Sequence, residues 1–388
     1  MLMPQTNEYM FDTIYDRRFT DSHKWNRIPE DSLSMWLADM DFRTPAPILD
    51  ALRQKVSTGF LGYPAVNEQY LETVLNWFTV YHHYNTEGIS IIPVTGIIPA
   101  LSAIIQRYTS EGAEIIIQAP AYYRFMEITE NRTILFNPLK IDEHGEYQMD
   151  FEHLDSLLPL RPQIFVLCSP HNPVGRVWSY EDLLHIAEYC LENEILLIAD
   201  EIHCDLVLPG YHFTSVATLP TRYLQNTIIL HSSTKTFNIA GLRGGHVVVF
   251  NQRMQKELSK VFDLYGINKV NTAFLTATMA GYTHCHDWTV SLNKYLAHNY
   301  HYIQTFIQEH IPQLKTFPLE ATYLMWIDYR ALQISEDDFF SVLDQELIVS
   351  KGTIFSEYGK GFFRINIACP LDMIKRAMQI LHTQINHL

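Results

Sequence analysis

The sequence predicts an α/β fold: a mainly parallel sheet in a large domain, with a smaller α+β domain beside it. Three observations carry this. Between residues 90 and 250, short apolar runs rich in β-branched residues alternate with amphipathic helical stretches. Each apolar run ends in small or polar residues, as strands buried on both faces do. From about Thr283 the texture changes to long polar helical stretches broken by isolated strand-like runs. Alternating strand and helix imply an open parallel sheet with helices on both sides.

The elements follow in order. Strand-like 90–94 runs into Thr95-Gly96, and 115–118 into Ala119-Pro120. The run 163–168 meets Ser169-Pro170-His171-Asn172-Pro173, 194–199 meets Asp200-Glu201, and 227–230 meets His231-Ser232-Ser233. Leu101, Ile104, Ile105 and Tyr108 share one helix face, as do Leu183, Ile186, Ala187, Cys190 and Leu191. The second texture predicts helices over 288–309 and 336–346 and strands over 321–328 and 362–367. The large domain is therefore set at 51–282. The smaller one takes 283–388 with the irregular residues 1–50 packed against it.

Composition limits the function. With 388 residues, 47% of them hydrophobic, the chain needs no disulfide or metal to build a core. Its 28 basic and 43 acidic residues give a net charge of -15, which argues against a nucleic-acid partner. No apolar run reaches the ~18–20 residues of a membrane span, and residues 1–15 lack a secretory signal pattern. Five scattered cysteines without a CxxC pair fit reduced thiols in a cytoplasmic protein. His82-His83 and His284-Cys285-His286 lack the second half of a zinc-type spacing, so no metal site is expected.

Ligands of open α/β sheets bind beyond the carboxyl ends of the strands. The polar residues there are Thr95, Gly96, Asn172, Asp200, His203, Ser232, Ser233 and Lys235. One acid, one amide, one lysine and several hydroxyls suit an anionic, planar cofactor held by the lysine. A lysine amine forms a Schiff base with an aldehyde once desolvation or cationic neighbours lower its pKa. A helix opening at Gly96-Ile97 offers N–H donors to a phosphate.

The motifs taken together resemble those of fold-type I pyridoxal-phosphate enzymes of the class I/II aminotransferase family. They are most similar to its C–S β-lyase branch, the cystathionine β-lyase-like MalY/PatB group. The strings are Trp36-Leu37-Ala38-Asp39-Met40-Asp41-Phe42, Gly62-Tyr63-Pro64, Thr95-Gly96, Pro120-Ala121-Tyr122-Tyr123 and Ser169-Pro170-His171-Asn172-Pro173-Val174-Gly175. Asp200-Glu201-Ile202-His203, the stretch from Ser232 through Lys235 to Arg243, and Phe363-Arg364-Ile365-Asn366 complete the set. The resemblance implies the aspartate aminotransferase-like fold and the cofactor pyridoxal 5′-phosphate. Lys235 would carry the cofactor and act as general base, and Asp200 would pair with the pyridine nitrogen. Asn172 would bond the phenolic oxygen, with His203 near the ring where aminotransferases usually place a tyrosine. Tyr122 would stack on the ring. Gly96, Ile97, Ser232 and Arg243 would hold the phosphate, joined by Tyr63 from a neighbouring subunit in a homodimer with shared sites. Arg364 would fork the substrate α-carboxylate, with Asp39 and Tyr63 also on the substrate side.

These residues serve two reactions of an amino-acid substrate. β-Elimination would release a thiol, pyruvate and ammonia from cystathionine, cysteine or an S-substituted cysteine. Transamination would make the protein an aminotransferase of aromatic or broad specificity. Composition and spacing do not choose between them; resemblance to the lyase branch favours elimination. A non-catalytic cofactor-binding regulatory module ranks lowest, because Lys235, Asp200 and Arg364 are all retained.

Overall fold

The computed structural model describes residues 9–26, 28–129 and 131–387. Its centre is a seven-stranded sheet of β1 (Ser90–Val94), β2 (Glu114–Ala119), β3 (Thr133–Pro138), β4 (Ile164–Cys168), β5 (Leu196–Asp200), β6 (Thr227–His231) and β7 (Gly245–Val249). Their spatial order is β1-β7-β6-β5-β4-β2-β3. β3, β2, β4, β5 and β6 pair in parallel, while β7 pairs antiparallel with both β6 and β1. Six strands therefore share one direction and β7 alone opposes it. The carboxyl ends of six strands and the start of β7 lie along one edge.

Every residue of β4, β5, β6 and β7 is buried. Alternate side chains feed two apolar layers. Phe165, Leu197, Ile229 and Val248 join one; Val166, Ile198, Ile228 and Val247 join the other. Two covered faces explain why these strands read as continuous apolar runs.

A second sheet contains β8 (Lys315–Thr316), β9 (Leu324–Asp328), β10 (Ser350–Lys351) and β11 (Phe362–Asn366). It is antiparallel throughout, in the order β8-β9-β11-β10. The N-terminal segment reaches this part of the chain: Leu33–Ser34 pairs with Leu347–Ile348, and the Met35 carbonyl accepts from the Asn366 amide at 2.8 Å.

Sequence and structure differ at particular points. The apolar pattern of Gly245–Val249 does not reveal its reversed direction. The expected strand 194–199 starts at Leu196, because Glu194 takes a left-handed φ of 57° after the helix Tyr180–Glu192. The run 321–328 becomes a strand only at Leu324; Thr322, at φ 72°, breaks it. The expected helix 336–346 stops at Leu343.

Candidate functional site

Lys235 lies in the short helix Ser233–Thr236, just past β6. Its amine donates to the Ala38 carbonyl at 2.7 Å. Burial lowers its pKa to about 8, with the Arg364 charge adding to the effect and Asp39 and Asp200 opposing it. Asp200 closes β5 and is buried; its carboxylate accepts from the Ile202 amide at 3.1 Å. Burial raises its pKa to about 7. A carboxyl so placed gains most from a cationic partner. His203 is buried with Nδ1 unpartnered, and burial lowers its pKa to about 3, so the ring is neutral.

Arg364, in the middle of β11, crosses from the small sheet to the large one. It donates to Asn172 Oδ1 at 2.9 Å, to the Trp36 carbonyl at 2.9 Å and to Ser350 Oγ at 3.3 Å, and lies 4.7 Å from the centre of the Phe355 ring. Its Nε is buried and unpartnered. Arg364 fixes the Asn172 amide with its oxygen toward the guanidinium, so the NH₂ group is the donor left over. A cavity is lined by Ile97, Tyr122, Asn172, Asp200, His203 and Lys235, among others. Burial also raises the Tyr122 phenol.

The aminotransferase class I and II family model matches residues 38–381. The chain belongs to the aminotransferase class I and II family. It is 33% identical over 380 residues to the cystathionine beta-lyase PatB of Bacillus subtilis, covering 95% of this chain and 98% of that one. Among solved structures it is similar to a PLP-bound putative aminotransferase of Clostridium difficile (34% identity, TM-score 0.93, covering 97% and 100%). It is likewise similar to cystalysin of Treponema denticola, which contains pyridoxal 5′-phosphate (29% identity, TM-score 0.93, covering 98% and 99%).

The family cofactor fits what the cavity presents. Asp200 lacks a cation, His203 Nδ1 lacks a partner, the Asn172 amide has donors to give, and Lys235 supplies an amine of lowered pKa. Gly96 caps the helix Ile97–Tyr108, whose first N–H groups have no partner within the helix.

Some expected residues stand apart from the cavity. Ser232 Oγ donates to the Gly244 carbonyl at 2.8 Å and accepts from the Thr234 amide at 3.1 Å, so its hydroxyl is already engaged. Arg243 is exposed, at a φ of 47°. Tyr63 is fully exposed and touches no part of the cavity in its own chain. The Asp39 carboxylate pairs with Arg17 at 2.7 Å; with Lys235 it lines a wider vestibule outside the cavity.

Other residues escaped the sequence reading. Tyr323 donates to the same Ala38 carbonyl as Lys235, at 3.1 Å, and packs edge-on to His203. Asn238 holds Met40 and Phe42, and Asn366 holds Leu37 and Asp39, fastening residues 36–42 beside the lysine. Asn238 sits three residues after Lys235 and Asn366 two after Arg364, so proximity to known motifs was the available signal.

Proposed function

We propose that this protein is a pyridoxal-phosphate-dependent C–S β-lyase acting on cystathionine, cysteine or an S-substituted cysteine. The reading rests on one observation: Lys235, Asp200 and Asn172 line a single cavity, and Arg364 is bonded to Asn172 behind it. The chain's full-length likeness to PatB directs that chemistry toward elimination. The cofactor, when bound, supplies an electron sink that makes the substrate Cα–H acidic.

Each residue then has a task. Asp200 keeps the pyridine nitrogen protonated, and Asn172 and neutral His203 face the phenolic oxygen. Tyr122 covers one ring face. Gly96, Ile97, Ser232 and Arg243 would hold the phosphate; for Ser232 this would require release of its bond to the Gly244 carbonyl. Arg364 binds the α-carboxylate, and Asp39 shapes the vestibule through which substrate arrives. Lys235, as the free amine, takes the Cα proton. The Cβ–S bond breaks, the sulfur leaves with a proton as a thiol, and hydrolysis of the remaining carbon skeleton yields pyruvate and ammonia.

The working unit in this reading is a homodimer in the cytoplasm. Tyr63 stands fully exposed among Phe60, Leu61 and Val66, an apolar patch suited to burial against a second copy. Five buried free cysteines accord with a reducing compartment. Among the described residues no helix is long and apolar enough to cross a membrane.

The deciding assay supplies purified protein with L-cystathionine and no keto-acid. Pyruvate and thiol over many turnovers support the lyase. A single turnover restored only by a keto-acid makes the protein an aminotransferase and overturns the proposal. Loss of the cofactor's visible band in Lys235→Ala tests the cofactor site separately.

A further inference from the structure

His82 is the last residue of the helix Glu68–His82, Cys204 and Asp205 lie in the turn after β5, and His231 ends β6. All four are buried, and one potential ligand atom from each lies within 4.8 Å of the others. Only Cys204 and Asp205 are near one another in sequence, so no zinc-type spacing betrays the group. We propose that these four side chains form a structural site for a thiophilic divalent cation of the zinc type. The proposal does not depend on which reaction the cofactor site catalyses.

One separation already matches a tetrahedral edge, and a second needs a small movement. Zinc bonds of ~2.3 Å to sulfur and ~2.05 Å to nitrogen at tetrahedral angles put the two ligands about 3.6 Å apart. Cys204 Sγ lies 3.6 Å from His82 Nε2. His82 Nε2 and Asp205 Oδ1 are 2.7 Å apart and must separate to about 3.3 Å. That movement exchanges their mutual hydrogen bond for two metal bonds.

Charge and surroundings agree. One thiolate and one carboxylate neutralise a divalent ion, and two neutral imidazoles complete the set without leaving net charge in the interior. Trp77 Nε1 donates to Asp205 at 2.9 Å, Thr236 Oγ1 donates to it at 2.5 Å, and Tyr282 contacts His231 Nδ1 at 3.3 Å. These are the outer contacts that orient metal ligands. His231 Nε2 is buried without a hydrogen-bond partner among the described residues. A groove reaches His82, Cys204 and Asp205 past Tyr81 and His286, giving an ion its path in.

Binding displaces the ion's waters and forms four bonds. The Cys204 thiol gives its proton to solvent, and neutral His82 carries its hydrogen on Nδ1 instead of Nε2. Four protein ligands leave no open position, which marks a structural centre. It would tie the turn after Asp200 to the end of the strand that leads into Lys235.

The test uses the cofactor-loaded wild-type protein. Metal content is counted after growth with zinc, and the metal-free form is titrated with cobalt(II). The proposal expects one zinc per chain and one cobalt with intense tetrahedral d–d bands at longer wavelength than the cofactor absorbs. A thiolate-to-cobalt charge-transfer band should disappear in Cys204→Ser. His231→Gln removes a ligand and should weaken cobalt binding by more than the roughly 10- to 100-fold that loss of an outer contact costs. Zinc should raise the melting temperature of the wild type and not of Cys204→Ala. Failure of the wild type to take up cobalt, or only weak octahedral bands, overturns the proposal without recourse to any variant. So does an unchanged spectrum in Cys204→Ser, which would assign the ion to groove histidines such as His83, His212 or His286.

Discussion

Replacing Arg364 by lysine tests the substrate-binding half of the site. A guanidinium has five N–H donors. Three are engaged, by Asn172 Oδ1, the Trp36 carbonyl and Ser350 Oγ. Two remain, one on the unpartnered Nε and one on the nitrogen bonded to Asn172; a carboxylate meets Nε and the neighbouring terminal nitrogen side by side once that nitrogen gives up its longer bond to Ser350. An ammonium group at the same place offers three donors from one point and cannot serve the protein acceptors and both carboxylate oxygens. Loss of one charge-assisted hydrogen bond costs about 1.5–3 kcal/mol, or roughly a 10- to 150-fold fall in kcat/KM. Arg364→Met removes both bonds and should fall further. Part of the loss should appear in kcat, because the held carboxylate also directs the Cα–H toward Lys235. Initial rates of pyruvate release from L-cystathionine give both constants, with cofactor occupancy checked by absorbance. A kcat/KM for Arg364→Lys within about threefold of wild type, under 1 kcal/mol, would refute the assignment.

Other consequences are equally open to measurement. Asp200→Asn removes the anion opposite the ring nitrogen and should lower kcat by about 10²–10³-fold while the protein still binds the cofactor; wild-type turnover would remove Asp200 from the mechanism. Burial lowers the Lys235 amine to about 8, so the reactive free base accumulates earlier than in an exposed lysine. The rate at which apoprotein captures pyridoxal phosphate should therefore rise with pH and level off a little above 8; a rate still climbing near the ordinary lysine value of about 10.4 contradicts this. Asp41 is buried among Lys24 at 2.6 Å, Trp25 at 2.8 Å and Arg17 at 2.9 Å. Lys24→Met should destabilise the fold by about 3–5 kcal/mol in urea denaturation, since it leaves the carboxylate short of a charge partner. A midpoint equal to wild type would show the pair contributes nothing.

The parts of this molecule legible in its sequence are those whose signal is local. A strand buried on both faces announces itself as an apolar run, and the polar residue that ends it is marked by that ending. Asp200, Asn172 and Lys235 were found this way, and the structure gathers them around one cavity. Direction is not local: Gly245–Val249 has the composition of its parallel neighbours and runs against them. Nor is the state of a side chain. Ser232 has the expected spacing from Lys235, but its hydroxyl faces the Gly244 carbonyl. Tyr63 stands fully exposed and away from the cavity of its own chain, so nothing in this fold marks the role its motif suggests.

The long-range contacts place the N-terminal segment beside the proposed active centre although it forms almost no regular structure. Residues 36–42 lie against the lysine, held from three sides. Asn238 grips Met40 and Phe42 from the turn after Lys235, Asn366 grips Leu37 and Asp39 from the small sheet, and Lys24 donates to the Asp39 carbonyl at 2.8 Å. Fixed in this way, the segment presents the Ala38 carbonyl to both Lys235 and Tyr323, and the Trp36 carbonyl to Arg364. A backbone carbonyl favours the charged amine, whereas burial favours the neutral one. The Lys235 pKa near 8 is set by burial, so the amine stays close to the balance that a base working near neutral pH requires. Moving the segment would disturb the lysine and the arginine together. This ties Asp41, which touches neither residue, to the chemistry: its ion pairs hold the segment that orients both.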